Sequence, residues 1–299
     1  MPLAITAIVF SIVAGIVGWT LKPSIPATQV IRFPLTFADL NLASPRRIIA
    51  LSPDNSSLVY LGANGQLMLR RFSENEARSL SASIQGVEPF FSPDGQWVGF
   101  FSITERVLKK VAISGGPAIT LCKSETAPYG VNWSEDGIVF GDTKGVMRVS
   151  ADGGDPELIV PTKYTDEVAA KPQLLDHGHI VLFTVMPAEA RQTSANLDQQ
   201  SQIVAQVLPR GDRKVILRGG GDAQYLSSGH LIYTIGGNVL AVRFDPRTLE
   251  MKGGSVPVIE GVRRTTATNT TQLSVSDKGA LIYLQGSAGA VSNTVLRGV

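Results

Sequence analysis

FFSPDGQWVGFF, residues 90–101, reads as strand, turn, strand. Phe90 and Phe91 lead into a turn made by Ser92, Pro93, Asp94 and Gly95, and residues 97–101 leave it. Proline presets φ for a turn corner, aspartate bonds its own nearby backbone, and glycine accepts positive φ. Pro93, Asp94 and Gly95 are therefore expected to shape a hairpin. A weaker copy, ALSPDNSSLVYL, occupies residues 50–61 and puts Pro53 and Asp54 in the same places.

Four more copies follow: VNWSEDGIVFG (131–141), PQLLDHGHIVLFT (172–184), QYLSSGHLIYT (224–234) and LSVSDKGALIYL (273–284). Aligned on Asn55, Gly95, Gly137, Gly178, Gly229 and Gly279, successive copies are 40, 42, 41, 51 and 50 residues apart. A period of about 40–50 residues built from short β-type segments is the signature of a β-propeller, one four-stranded blade per repeat. Within the second copy the strands read PFFS, WVGFFS, VLKKVAIS and AITLCK. The predicted fold is all-β, a propeller of six blades of four antiparallel strands. Residues 271–299 offer only three strands, so VIRFPLT (30–36) is expected to close the last blade. Blades start near residues 48, 88, 130, 171, 223 and 271, and the insertions in blades four and five fit surface loops.

The 299 residues are 43% hydrophobic, enough for a sizeable core, and carry a net charge of +2 without a Lys/Arg block, which argues against a nucleic-acid surface. The single cysteine, Cys122, falls in the strand segment ITLC and reads as a small buried residue. Residues 3–21, LAITAIVFSIVAGIVGWTL, carry no charge. About 20 apolar residues span a bilayer as a helix. Residues 1–22 are thus expected to be a transmembrane anchor, followed by a linker at 23–29 stiffened by Pro23 and Pro26, with the propeller at 30–299. The rival reading is a cleaved signal peptide, which lacks here a basic start and a good cleavage site.

SPDGQWVGFF, LKKVAISGGPAITLC, WSEDGIVF and RVSADGGDPELI together resemble the Pro-Asp type of WD40-like repeat, as in TolB-like propellers. More closely, the order of apolar span, Pro-containing linker and repeats is similar to the region after the transmembrane helix of bacterial membrane-anchored serine/threonine protein kinases. That resemblance implies a sensor at the bacterial cytoplasmic membrane, with the propeller periplasmic or extracellular. It also implies a kinase domain encoded upstream or separately, because no Gly-rich phosphate loop, Val-Ala-Ile-Lys, His-Arg-Asp or Asp-Phe-Gly occurs in this chain. The abrupt end in TVLRGV raises the expectation of a truncated fragment.

No catalytic residue, metal ligand or cofactor is singled out. Asp54, Asp94, Asp136 with Gly137, and Asp277 with Gly279 are assigned to turns on separate blades. His177, His179 and His230 likewise fall in hairpin turns, and zinc would want three or four convergent ligands. Gly-x-Ser-x-Gly is absent, residues 219–222 (GGGD) read as a turn, and Arg263-Arg264 reads as a solvated loop. Ligand or partner binding is expected at one end of the propeller axis, through Glu88, Tyr129, Glu167, Lys171, Asp222 and Asn269. The expected function is non-catalytic recognition of a protein or small ligand outside the cytoplasm. The alternatives are a propeller-type hydrolase or lyase with an axial metal site, or a fragment of a larger receptor kinase.

Overall fold

The structure, a computed structural model, describes residues 33–36, 39–80, 85–164, 166–188, 197–265, 268, 270–276, 278–286 and 295–298. The chain divides into two units, Met1–Ile31 and Arg32–Val299. The first, with the expected span, lies outside the described residues, as does Asp277. Among the described residues no helix is long and apolar enough to cross a membrane.

The second unit is a β-propeller. Strand β1 (Phe33–Thr36) precedes five sheets, each wound in order from one continuous stretch of chain. Blade 1 is β2 (Ile49–Leu51), β3 (Ser57–Leu61), β4 (Leu67–Arg71) and β5 (Ala77–Ser79). Blade 2 is β6 (Gly86–Phe91), β7 (Trp97–Ser102), β8 (Val107–Ala112) and β9 (Ile119–Lys123). Blade 3 is β10 (Val131–Ser134), β11 (Gly137–Gly141), β12 (Gly145–Val149) and β13 (Glu157–Pro161). Blade 4 is β14 (Glu167–Leu175), β15 (Ile180–Pro187), β16 (Gln202–Val207) and β17 (Arg213–Arg218). Blade 5 is β18 (Gly221–Leu226), β19 (His230–Ile235), β20 (Asn238–Asp245) and β21 (Glu250–Ile259).

The expectation of six blades is corrected in kind: five, not six, are blades of this continuous make. A further four-stranded sheet joins β22 (Leu273–Val275) and β23 (Leu281–Leu284) to β24 (Val295–Gly298), and β1 completes it in the order β1-β24-β23-β22. Among the described residues three strands follow residue 271, and the other end of the chain supplies the fourth. β1 runs antiparallel to β24, with Phe33 opposite Gly298 and Thr36 opposite Val295. On one side Ile48 N–H donates to Gln272 Oε1 (3.0 Å) and Leu51 N–H to Ser274 Oγ (2.9 Å). On the other, Leu281 and Tyr283 share a buried cluster with Ile232 and Val239 of blade 5.

Second strands form the densest core, because both of their faces are covered. Phe100, Phe140 and Phe183 are fully buried on β7, β11 and β15. Cys122 is buried too, and burial pushes its thiol up to about 11, outside the range of a reactive thiolate. The expected surface loops need adjustment. The insertion of blade 4 ends in a helical turn, Leu197–Gln200, with Leu197 buried, and the extra length of blade 5 is taken up by the eight- and ten-residue strands β20 and β21.

The repeated corner has one backbone solution. Asn55, Gly95, Gly137, Gly178, Gly229 and Gly279 all take positive φ, between 67° and 117°. That is why five of the six are glycine. In blade 2 the Asp94 carboxylate accepts from the Ser92 hydroxyl and from Gln96 N–H (3.0 Å), while Ser92 Oγ accepts from Trp97 N–H (2.9 Å). Blade 1 repeats the pattern with Asp54, Ser52 and Ser56. The Ser92 hydrogen bond, then that of Gln96 N–H, lowers the Asp94 pKa below its ordinary 3.8. Asp94→Ala is expected to lower stability by about 1 kcal/mol in urea unfolding at neutral pH. A depressed carboxylate stabilises above its unfolded value and stops doing so as pH falls through the folded one. Wild type and variant are therefore expected to converge below pH 3.8.

Candidate axial site

Each innermost strand of blades 2, 4 and 5 contains a register shift near its start, at Val87/Phe90, Ala170/Gln173 and Gly221/Gln224. Within each shift one residue takes the left-handed conformation: Glu88 (φ 54°), Lys171 (φ 50°) and Asp222 (φ 51°). All three stand seven residues before their corner glycine, and the matching positions elsewhere are Ile48, Gly130 and Gln272. A bulge re-aims a side chain that regular pleating would send to a blade face. Here it gathers three charged groups from three blades at one end of the axis.

Lys171 Nζ lies 3.9 Å from Asp222 Oδ1, and Arg47 Nε lies 3.8 Å from Glu88 Oε2. Glu88 is 2% exposed and Oε1 accepts from Arg47 N–H at 3.1 Å. The Asp222 carboxylate also accepts from Thr271 N–H. Gln272 Nε2 donates to Arg46 O (2.8 Å), tying down the arginine pair. The Arg46 guanidinium stands 4.5 Å above the buried Tyr129 ring and donates to Pro128 O (3.0 Å). Gly130 lets the Lys171 stem pass, since a β-carbon there would sit 2.6 Å from Lys171 Cδ. Burial, then Arg47, pushes the Lys171 ammonium down to about 8, against the pull of Asp222 and Glu88. An amine with that pKa can exchange a proton near neutral pH.

Below these groups the inner strands enclose a cavity of ≈140 Å³, lined in part by Arg47, Lys171 and Asp222. Ligand pockets for drug-sized molecules run to about 300–1,000 Å³. An axial ligand here is small, or it rests on the charged mouth.

Of the residues expected at the axis, Glu88, Lys171 and Asp222 meet, and Tyr129 supports Arg46. Glu167 does not join them. It opens the nine-residue strand β14 ahead of the bulge, faces Arg213 of the outermost strand (4.0 Å), and accepts from Lys163 N–H (3.1 Å). Asn269 lies outside the described residues. Arg46, Arg47 and Gln272 are the participants that sequence reasoning missed. The arginine pair stands immediately before Ile48, and that adjacency is the signal that could have found it. Arg263 and Arg264 are each 9% exposed, so the solvated-loop reading is corrected. Arg264 makes a bidentate pair with Asp198 (2.5 and 2.6 Å), which docks the helical turn of blade 4. His179 Nδ1 lies 2.7 Å from Asp176 O and His230 Nδ1 3.1 Å from Ser228 Oγ, in turns of different blades. Among the described residues no three His, Cys, Asp or Glu side chains come together as a metal site.

No family model and no curated protein matches the chain. Solved structures do. An oligogalacturonate lyase from Vibrio parahaemolyticus is 13% identical and superposes with a TM-score of 0.56 over 88% of this chain and 80% of its own. An oligogalacturonate lyase in complex with manganese is 10% identical, TM-score 0.53, over 84% and 75%. A chain of a nidogen/laminin complex is 12% identical, TM-score 0.54, over 80% and 84%. The likeness is one of fold. It nevertheless corrects the expectation that the chain is not an enzyme. That expectation rested on missing kinase and hydrolase motifs, whereas lyases share this architecture.

Proposed function

We propose that the protein is an enzyme-type propeller whose axial mouth binds a small carboxylate-bearing substrate, with Lys171 as the proton donor in cleavage of a carbon–oxygen bond. One observation carries this reading: among the described residues Arg46, Arg47 and Lys171 face two carboxylates, Glu88 and Asp222, in a setting largely withdrawn from water. A desolvated site with one positive charge in excess is neutralised by one bound anion. The guanidinium groups suit a carboxylate. In the elimination the Asp222 carboxylate takes the proton from the carbon beside the substrate carboxylate, and that carbon–hydrogen electron pair becomes the new carbon–carbon double bond. The carbon–oxygen pair leaves with the oxygen, which takes the Lys171 proton. The lyase names among the like folds favour sugar acids as the substrate class.

The test is a screen of purified protein against uronic-acid oligosaccharides, read by calorimetry and by the ultraviolet absorbance of an unsaturated product. Binding of an acidic sugar but not of its neutral counterpart is expected. Failure of every acidic sugar to bind would sink the reading.

The uncharged run at residues 3–21 favours a second element, a tether placing the propeller at the outer face of a bacterial cytoplasmic membrane. The propeller would then receive its ligand outside the cell, as in the WD40-like sensor regions of receptor kinases, with a separately encoded kinase as partner. Membrane fractionation with the full chain is expected to leave it in the pellet after high-salt washing. A soluble, uncleaved chain would end this part of the proposal.

A further inference from the structure

Innermost strands run from the axial mouth to the repeated corners, so the opposite end of the blades carries separate chemistry. There a groove of ≈790 Å³ opens between blades 2 and 3, with Trp97, Trp133 and Lys110 in its wall. The Lys110 ammonium lies 4.8 Å from the Trp97 ring centroid and 5.9 Å from that of Trp133, and donates to Ala151 O (2.7 Å). The groove's other cation, Arg148, donates to Asp136 O. Both cations are thus held by the protein itself. Around them stand the carboxylates of Asp94, Glu135, Asp136, Asp155 and Glu157. Asp94 serves its own turn. Among the described residues no cation pairs with Glu135, Asp155 or Glu157. Five carboxylates against two cations leave this groove three charges negative in a chain whose net charge is +2.

We infer that the groove between blades 2 and 3 docks an extended peptide segment bearing lysine or arginine. Its volume is that of a ligand site, about 300–1,000 Å³. The partner's cations would meet Glu135, Asp155 and Glu157, while their aliphatic stems cover the exposed parts of the indoles. A saccharide is disfavoured, because stacking a sugar needs an open ring face and Lys110 lies over that of Trp97. The inference is independent of the axial reading, since the two sites share neither their charged groups nor their ligand class.

Two of the three tryptophans line this groove, so Trp19→Phe leaves Trp97 and Trp133 as reporters. Titrating that full-length variant with oligolysine at low salt is expected to give a saturable fluorescence change. Adding E135Q, D155N and E157Q should weaken it about tenfold or more, an effect that salt also produces. These three side chains are exposed, so the fold is not at risk. The control E74Q/E76Q, on an exposed edge of blade 1, should leave binding unchanged. Equal losses in both variant sets would mean diffuse attraction and overturn the inference. So would saturation by a neutral oligosaccharide with none by oligolysine.

Discussion

Lys171→Met is expected to weaken acidic-ligand binding at the axial mouth about tenfold or more and to remove its pH dependence. In the wild type Lys171 is the charged group poised to change state near neutrality, with a pKa pushed down to about 8. Both roles given to it, holding an anion and giving up a proton, need the ammonium form. Affinity and kcat/KM for an acidic sugar should therefore fall as pH rises through about 8. The methionine variant should be weak throughout, by about tenfold or more, because one charge-assisted contact is worth roughly 1.5–3 kcal/mol. Stability moves the other way. Lys171 releases its proton more readily in the folded state than at its ordinary 10.5, so its charge opposes folding below about pH 8. That opposition is relieved between about 8 and 10.5, and amounts to at most about 3 kcal/mol. Urea unfolding of the free wild type should thus show stability rising across this window relative to Lys171→Met. A variant at least as stable as wild type at pH 7 but weakened in binding separates function from folding. Unchanged binding would remove Lys171 from the site.

Gly145→Ala should cost about 4 kcal/mol, which few single substitutions do. Gly145 closes the hairpin between β11 and β12, where Asp142 N–H donates to Gly145 O at 2.8 Å. Its φ of 140° is rare for any L side chain, and a β-carbon there would stand 2.0 Å from Val160 O on β13. That atom is backbone, held in the ladder by the Gly145–Pro161 and Val146–Val160 pairs. It cannot rotate aside as a side chain would. Gly154→Ala is the control, because its φ of 132° is equally unfavourable while nothing lies within 4 Å. Conformational strain alone costs about 1–3 kcal/mol. The difference between the two variants in urea midpoint isolates the collision. Equal midpoints would show that the third and fourth strands of blade 3 can part at little cost.

The blades were readable because their corners are written in residue types. Positive φ at Gly95, Gly137, Gly178, Gly229 and Gly279 calls for glycine, and in blades 1 and 2 the Ser-Pro-Asp lead-in adds its own hydrogen bonds, so the hairpins advertise themselves locally. The axial site lacks such a mark. Its bulges also demand positive φ, yet Glu88, Lys171 and Asp222 occupy them, and none of these residue types announces that conformation as glycine does. Their approach to the axis was legible from position in the repeat. Their ion pairs were not, because Arg47 meets Glu88 across 41 residues and Lys171 meets Asp222 across blades. Glu167 stands apart for the converse reason: β14 begins 11 residues before its corner residue, against 6 to 9 in its repeat-mates, and Glu167 in that extra length faces Arg213 instead. The Trp97–Lys110–Trp133 stack was invisible because it forms between two blades, each ordinary by itself.

The sheet shared by the two ends of the propeller gives this protein a clock. β1 leaves the ribosome early, but its partner β24 follows some 260 residues later. At about 5–20 residues per second, that is roughly 15–50 s. For that interval Phe33–Thr36 has no strand to pair with, and the edge of whatever blades have folded stays open to any other extended chain. A factor that shields nascent strands has its work here at the start of the domain, long before the last repeat exists to be protected.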